Sequence, residues 1–458
     1  MRLRRHHPIQ HLLTMALNLI VLAVIAGCAG PTASGTSASK TTSVPRQATS
    51  SHSLLPPTAT GSPVPVSPRT PTPAAYPTQT SAFDIGDTIE LTSIHMMNET
   101  EGWGFSSAAV WITRDGTRTW RDVTPRAESF RETGYEWYGG FVDANHAWLL
   151  YSTQWRPPLF SCIASDASVW YTTDGGQTWK TSRPLMHSLA DMSCSASFNM
   201  TDTETGWLSI NGFYTGAGPH TTAEFFRTTD GGTTWNAVEP RWSDSAGSYS
   251  RDTPGWLSER VFYDRTGWQL INMSDCWPCY GNTPAPAYYL TRDGGFSWSI
   301  HLLPPPSAAP RLFEQYLLCE PYQLNLLTEE VVRLKLACSQ IDERQEPRAR
   351  DFLYSTTDGG MTWNSLELPR ASADMSDYDA RMIFFDADHG LLLGREMWRT
   401  ADGGVTWQHI NTVTWEAQFS FVDPSHGWAI ARAEDVTALV YTINGGEDWQ
   451  LINPTATQ

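Results

Sequence analysis

The chain has 458 residues and a formal net charge of −17. Such acidity argues against nucleic acid and anionic lipid surfaces as partners, because both repel a negatively charged protein. The acidity belongs to the C-terminal part, since the first residues and the segment 29–82 are net positive.

The N-terminus is basic at Arg2, Arg4 and Arg5, and an apolar run over 12–24 is soon followed by Cys28. This arrangement resembles a bacterial lipoprotein signal peptide, in which Cys28 is lipidated and becomes the mature N-terminus. The alternative is a transmembrane anchor, but the run is short for a full span and contains Asn18. We therefore expect 1–27 to be a signal peptide and the lipid to anchor the protein to the cell membrane, outside the cytoplasm.

Residues 28–82 comprise the predicted lipidated cysteine and a linker rich in Pro, Ser and Thr. Such a composition buries too little apolar surface to offset its ordering entropy, and its prolines favour extended conformers. The segment is predicted to be a disordered stalk.

A nine-residue pattern organises the remainder of the chain. Residues 290–298 read Leu-Thr-Arg-Asp-Gly-Gly-Phe-Ser-Trp, and variants occur at 112–120, 171–179, 227–235, 355–363, 399–407 and 441–449. Each predicts a hairpin, because glycine supplies the positive φ of a tight turn and a short acidic side chain bonds the turn's amides. The tryptophan that follows has the size to anchor the hairpin in a core. The structural turn residues are Asp115, Asp174, Asp230, Asp293, Asp358, Asp402 and Asn444.

A second signal precedes most of these turns: an aromatic strand, an Asp or Asn, and then Gly-Trp, as in 421–428 and 262–268. The copy expected near 324–332 is degenerate. Each unit thus reads as a four-stranded antiparallel meander. Together the units predict an all-β fold, a seven-bladed β-propeller of four-stranded antiparallel blades over 83–458. A β-sandwich or two small barrels would not require one common register. Whether the ring closes through an N-terminal strand or end to end stays open.

The pattern Thr/Ser-x-Asp-Gly-Gly-x-Thr/Ser-Trp resembles the Asp-box, or bacterial neuraminidase repeat. It occurs in sialidases, sortilins, xyloglucanase-type glycosidases and the photosystem II stability/assembly factor family. The resemblance covers nearly everything after residue 83 and implies the propeller; it implies little about activity, because the turn is structural.

Strand order assigns the loops to two faces. The Asp-box turns and the connections between strands one and two of each blade lie on one face of the ring. The connections between strands two and three, and those from one blade to the next, lie on the opposite face, which we call the loop face. Every long insertion belongs to the loop face: 124–138, 152–168, 181–195, 212–224, 238–258, 274–287, 302–315 and 339–351. Function is therefore expected there. Its candidate binding aromatics are Tyr135, Trp137, Trp155, Trp242, Trp256, Trp277 and Tyr280. Some of these rings could instead form small loop cores.

Six cysteines remain besides Cys28, an even number that favours disulfides in an exported chain. Proximity in sequence suggests Cys162 with Cys194, Cys276 with Cys279, and Cys319 with Cys338. The spacing of Cys276 and Cys279 also occurs in redox motifs, but nothing around them resembles a βαβ unit.

No cluster of His, Cys and carboxylates has metal-ligand spacing, and no phosphate-binding glycine loop is present, so neither a cofactor nor a metal is expected. Calcium held by loop carboxylates is conceivable, but no spacing specifies it.

Two functions remain. The first is a non-catalytic, surface-anchored monomer that binds a protein or glycan partner through the loop face. The resemblance to the photosystem II factors implies membrane-protein assembly, although the chain lacks their evident arginine-rich patch. The alternative is a sialidase-like or xyloglucanase-like glycoside hydrolase, with carboxylates such as Glu136, Glu224 or Glu259. The sialidase Phe/Tyr-Arg-Ile-Pro motif is absent, and a xyloglucanase has two propellers, so no catalytic residue is assigned.

Overall fold

The computed structural model describes residues 75–77, 83–125, 138–151, 167–185, 193–213, 221–243, 249–250, 257–271, 286–315, 318–341, 347–369 and 380–458. All of them belong to one compact unit, 70–458. Within the described residues, no helix has the length and apolarity needed to cross a membrane.

Seven sheets follow one another along the chain. Each contains a meander of four antiparallel strands that are hydrogen-bonded in sequence order, and some sheets have additional strands at an edge. The predicted seven-bladed, nearly all-β propeller is confirmed. One strand, β1 (Ala75–Pro77), precedes the blades.

The strands of blades 1 and 2 are short, and most strands of blade 3 are longer. Blade 1 contains β2 (Ser93–Met96), β3 (Gly102–Phe105), β4 (Val110–Thr113) and β5 (Thr119–Asp122). Blade 2 contains β6 (Tyr138–Phe141), β7 (Ala147–Tyr151), β8 (Ser168–Thr172) and β9 (Thr178–Thr181). Blade 3 contains β10 (Ser193–Met200), β11 (Gly206–Phe213), β12 (Thr221–Thr228) and β13 (Asn236–Ala237).

The remaining blades repeat the meander. Blade 4 contains β16 (Leu257–Tyr263), β17 (Thr266–Ile271), β18 (Ala287–Thr291) and β19 (Ser297–Leu302), with β14 (Arg241–Ser243) and β15 (Tyr249–Ser250) added outside β19. The helix α1 (Leu312–Gln315) precedes blade 5, which contains β20 (Leu318–Leu326), β21 (Val332–Ile341), β22 (Pro347–Thr356) and β23 (Asn364–Glu367). Blade 6 contains β24 (Arg381–Phe384), β25 (Gly390–Leu393), β26 (Glu396–Thr400) and β27 (Gln408–Thr412). Blade 7 contains β28 (Glu416–Phe421), β29 (Gly427–Ala433), β30 (Val436–Thr442) and β31 (Gln450–Ile452), and β32 (Thr455–Thr457) ends the chain.

The Asp-box turns are held by their own polar side chains. In blade 2, Asp174 Oδ1 accepts hydrogen bonds from the Thr172 hydroxyl (2.8 Å) and the Thr178 amide (2.9 Å), and Oδ2 accepts one from the Thr178 hydroxyl (2.6 Å). Gly175 and Gly176 have φ of 68° and 75°, which a side chain would strain. Partial burial alone would raise the pKa of Asp174, but the bonds from Thr178 and Thr172 outweigh it and lower that pKa below 3.8.

The blades pack on one another through aromatic rings. Trp103 of blade 1 stacks on Phe141 of blade 2 with ring centroids 5.3 Å apart, and Trp207 of blade 3 stacks on Phe262 of blade 4 at 3.9 Å. Among the described residues the largest fully buried side chains are tyrosines and tryptophans: Trp103, Trp111, Trp120, Trp148, Trp179, Trp207, Trp242, Trp268, Trp298, Tyr288 and Tyr354. Most of the tryptophans therefore stabilise the ring.

The ring closes end to end, because all four strands of blade 7 are consecutive in sequence. Beyond them, β32 runs parallel to β5 on the outer edge of blade 1. The Thr455 amide donates to the Arg118 carbonyl (3.1 Å), and the Gly86 amide donates to the Ala456 carbonyl (2.9 Å). The last residues of the chain thus fasten blade 7 to blade 1.

Two parts of the sequence interpretation are corrected. Ala75–Pro77, placed in the disordered linker, pairs antiparallel with β9 of blade 2, whose edge offers unpaired backbone groups. The insertions 212–224 and 339–351 lie partly in strands: Gly212 pairs with Thr222, and Ser339 pairs with Ala349. The paired strands of these two hairpins are longer than those of the other blades, so fewer residues remain for loops.

Candidate functional site at the central channel

The first strands of the blades surround a central channel with a cavity of about 750 Å³. Its polar lining includes His95 on β2, Tyr322 and Gln323 on β20, Arg381 on β24 and Gln418 on β28. The other lining residues are Met96, Val261, Leu270, Leu324, Asn325, Met382, Ile383, Ala417, Phe419, Ser420 and Phe421.

The strand direction shows which end each residue faces. First strands begin at the loop face and run towards the Asp-box face, so Arg381, the first residue of β24, lies at the loop-face mouth. Glu416 is likewise the first residue of its strand, β28, and it accepts a hydrogen bond from Arg395 at 2.9 Å. Charged side chains therefore gather at the loop-face mouth.

Several amide side chains in the channel join neighbouring blades. Gln418 accepts from the Ile94 amide (2.9 Å) and donates to the Ile94 carbonyl (2.8 Å), which replaces a backbone pair between blades 7 and 1. Gln323 and Asn325 of blade 5 bond the β24 backbone in the same way. These side chains bond the backbone of the neighbouring blade, and the lining also includes His95, Tyr322 and Arg381.

The charge of the channel lining differs from that of the whole chain. Burial, and secondarily the charge of Arg381, lowers the pKa of His95 from 6.5 to about 4, so its imidazole is neutral near pH 7 although water in the channel reaches it. The described lining residues include no Asp or Glu. In a protein of net charge −17, the channel thus presents a cation and neutral polar groups.

Buried charges flank the channel in blade 5. Lys335 is fully buried, lies 3.6 Å from the Asp351 carboxylate and donates to the Ala380 carbonyl at 3.1 Å. Its ammonium lies 5.9 Å from the centre of the Tyr322 ring. Glu320 and Asp351 are both buried and both pair in register with Ala337, which brings two carboxylates beside one strand position.

The predicted disulfide Cys319–Cys338 is present beside these charges. The two residues are register partners on β20 and β21, with Cα atoms 4.0 Å apart. The bridge therefore fixes this hairpin at its loop-face end. Cys162, Cys276 and Cys279 lie outside the described residues, as does Cys28, and for Cys194 the structure describes only its backbone in β10.

Of the predicted binding aromatics, only Trp242 is described; Tyr135, Trp137, Trp155, Trp256, Trp277 and Tyr280 lie outside the described residues. The exposure expected for Trp242 is wrong. Its side chain is 2% exposed and packs against Tyr289 (4.8 Å) and Trp298 (5.5 Å). The insertion that holds it adds β14 to blade 4, which places the ring in the core.

Sequence reasoning missed Arg381, His95, Tyr322 and Lys335. The signal available was polar residues at alternate positions of a first strand, such as Gln323 with Asn325, because one side of that strand meets the neighbouring blade. The missed contacts join different blades, which no local pattern encodes.

One described group could supply metal ligands on the Asp-box face: Glu99, Asp423 and His426, whose ligand atoms lie within 4.8 Å of one another. The Asp423–His426 contact (2.8 Å) recurs at Asp143–His146 and Asp386–His389, both at 2.9 Å. The contact is thus a feature of the repeat's turn, to which Glu99 adds one exposed carboxylate.

No family model and no curated protein sequence matches the chain. Similar solved structures include a GH74 xyloglucanase from Xanthomonas campestris, at 15% identity and a TM-score of 0.30, covering 77% of this chain and 53% of the xyloglucanase. A polysaccharide lyase (9%, TM-score 0.47) covers 80% and 93%, and a Trypanosoma rangeli sialidase in complex with sialic acid (11%, TM-score 0.36) covers 82% and 57%. The chain spans about half the length of that xyloglucanase. These names include the enzyme classes of the hydrolase alternative; at such identities, function has to be argued from the residues of this chain.

Proposed function

We propose that the protein binds an acidic saccharide at the loop-face mouth of the central channel. The observation that supports this most is the channel lining: Arg381, a neutral His95, amide groups and an exposed tyrosine, with no carboxylate among the described lining residues. A carboxylate-bearing sugar would pair with the Arg381 guanidinium, and no described residue of the cavity lining carries a like charge.

The size and chemistry of the cavity suit such a ligand. About 750 Å³ lies within the range of small-molecule sites, which is roughly 300–1,000 Å³. Tyr322 is 41% exposed and offers a ring face on which a sugar can stack. His95, as a neutral ring, can both donate and accept hydrogen bonds with hydroxyl groups.

The proposal includes the location inferred from the sequence. The protein would be a monomer outside the cytoplasm, anchored through a lipid on Cys28, and its ligand a surface glycan. The linker 28–82 would hold the channel away from the membrane.

Calorimetric titration of the chain from residue 29 onwards with oligogalacturonate, and with a neutral oligogalactoside as comparison, tests the proposal. Arg381→Gln should weaken oligogalacturonate binding by at least about tenfold, because a charge-assisted hydrogen bond is lost. The matched control is Arg399→Gln, which removes a guanidinium from β26 that pairs with Glu447 on the Asp-box side. Equal binding by wild type and Arg381→Gln would refute the channel site.

Hydrolysis is the second candidate, favoured by one observation. Glu320 and Asp351 bring two buried carboxylates to the same strand position beside the mouth, and paired carboxylates carry glycoside hydrolysis. Release of reducing ends from the bound oligosaccharide, lost in Glu320→Gln while binding persists, would establish catalysis. Capture of a membrane protein in place of any saccharide would instead favour the scaffold role that the photosystem II factor resemblance implies.

A further inference from the structure

In blade 4, the fourth strand of the meander departs from the repeat. Three residues after the Asp-box tryptophan, the other blades have an aliphatic residue or, in blade 2, serine, whereas blade 4 has histidine. The residues in blade order are Val123, Ser182, Val238, His301, Leu366, Ile410 and Ile452. Directly after the tryptophan, the other blades have longer polar side chains and blade 4 has Ser299; the others are Arg121, Lys180, Asn236, Asn364, Gln408 and Gln450.

These two replacements coincide with a cavity. Between blades 1 and 2, Val123 packs closely against Gly176, where an added Cβ would lie 2.6 Å from the valine, and Arg121 donates to the Gly175 carbonyl. Between blades 4 and 5 the corresponding crevice holds about 630 Å³. Its lining is Leu290, Arg292, Ser297, Ser299, His301, Gly359, Gly360 and Met361.

The hydrogen bonds at this junction differ from those between blades 2 and 3 and between blades 3 and 4. Trp148 and Trp207 donate their indole N–H to the first glycine carbonyl of the next blade's Asp-box turn, at 2.9 and 3.1 Å. At the blade 5 turn, Arg292 donates to that carbonyl, of Gly359, at 3.1 Å. The buried indole N–H of Trp268 then has no partner among the described residues. An added Cβ at Gly360 would lie 2.6 Å from Trp268, so the turn itself is closely packed, and the junction differs in the polar crevice beside that turn.

The groups around the crevice form a coherent set. His301 stacks on Tyr288 with ring centroids 5.3 Å apart, and its Nε2 lies 2.9 Å from the Ser299 hydroxyl. Burial, followed by the charge of Arg292, lowers the pKa of His301, which leaves a neutral imidazole. The Arg292 guanidinium is half exposed, and its ionic contact with Glu329 is long, at 3.8 Å. Leu290 and the exposed side chain of Met361 supply apolar surface.

We propose that this crevice binds a small organic carboxylate with a flat apolar body. The carboxylate would pair with Arg292 and accept a hydrogen bond from Ser299 or His301, while its apolar part lies against Leu290 and Met361. The same chemistry can come from a free acid or from a carboxylate side chain of a peptide. The site lies between the outer strands of blade 4 and the Asp-box turn of blade 5, so it is separate from the central channel.

Titration of the protein with benzoate, with benzyl alcohol and with a short peptide amide containing one glutamate tests the site. Benzoate should bind and benzyl alcohol should not. Binding of benzoate alone identifies a free acid as the ligand class, and stronger binding of the peptide identifies a side chain.

Two variants decide the result. His301→Val introduces the residue of blades 1 and 3 and removes the imidazole from the crevice lining, and Arg292→Gln removes the cation; each should weaken carboxylate binding at least about tenfold. Arg114→Gln is the matched control, because Arg114 has the same repeat position in blade 1, where Val123 fills the crevice. The thermal melting curve of His301→Val, compared with that of wild type, separates lost binding from lost folding. Undiminished binding in His301→Val, or no binding of either carboxylate probe to the wild type, would overturn the proposal.

Discussion

The two faces of the ring differ in how much their connections vary from blade to blade. On the Asp-box face, the turns share one set of hydrogen bonds, from Asp115 in blade 1 to Asn444 in blade 7. On the loop face, connections range from two residues, such as Gly394 and Arg395 in blade 6, to the stretch 152–167 in blade 2. The turns are part of the fold's packing and cannot vary freely, whereas the loop-face connections can.

The difference indicates where specialised residues accumulate. The channel mouth, with Arg381, and the buried charges of blade 5 lie towards the loop face. On the Asp-box side, the informative position is the one that breaks the repeat, at His301. In a repeat protein, a departure from the common pattern is therefore a better guide to a site than the pattern itself.

The largest effect is expected from the buried charges near the loop face. Lys335→Ala should destabilise the protein by about 3–5 kcal/mol, because Asp351 would be left as a buried charge without its ammonium partner. Urea denaturation measures the loss.

The control replaces both charges. Lys335→Met with Asp351→Leu removes the ion pair without leaving a single charge, so it should cost much less than Lys335→Ala. An equal loss in the two proteins would show that packing volume, and not charge, holds blade 5 together.

A smaller effect is expected on the Asp-box face. Asp174→Ala should cost about 1–3 kcal/mol, since Thr172 and Thr178 lose their acceptor. Asp174→Asn should cost less, because Asn444 fills this position in blade 7 and still accepts from Thr442 and from the Asp448 amide. If the asparagine variant were as unstable as the alanine variant, the turns of different blades would not be equivalent, and urea midpoints decide this.

The sequence predicted what is local and repeated. The turn signals, the Gly-Trp strands and the neighbouring pair Cys319 and Cys338 are all encoded within one blade, and they led to the blade number and one disulfide. The additions at sheet edges were not predictable in this way. Ala75–Pro77 and Thr455–Thr457 are too short to show a strand pattern, and each pairs with a strand far away in the sequence.

The site was predicted less well than the fold for the same reason. Trp242 was taken for an exposed ring because it lies in an insertion, and the insertion turned out to pair with β19. The channel groups come from different blades, so the effect of Arg381 on His95 exists only after the ring has closed.

The smallest expected effect is a difference between the channel and the Asp-box face in how stability depends on pH. The folded-state pKa of His95 is about 4, below its value of 6.5 in the unfolded chain, so the unfolded state binds the extra proton between these values. Stability should therefore fall as the pH drops from about 6.5 to about 4, and His95→Gln should reduce the fall of the urea midpoint in that window, while His301, whose pKa is also lowered, retains part of the fall. The Asp-box carboxylates Asp174 and Asp358 have lowered pKa values, to about 2 for Asp358, so their stabilisation persists above the unfolded value of 3.8 and is lost below it. Wild type and His95→Gln should then lose stability together below pH 4; parallel curves over the whole range would show that His95 does not contribute.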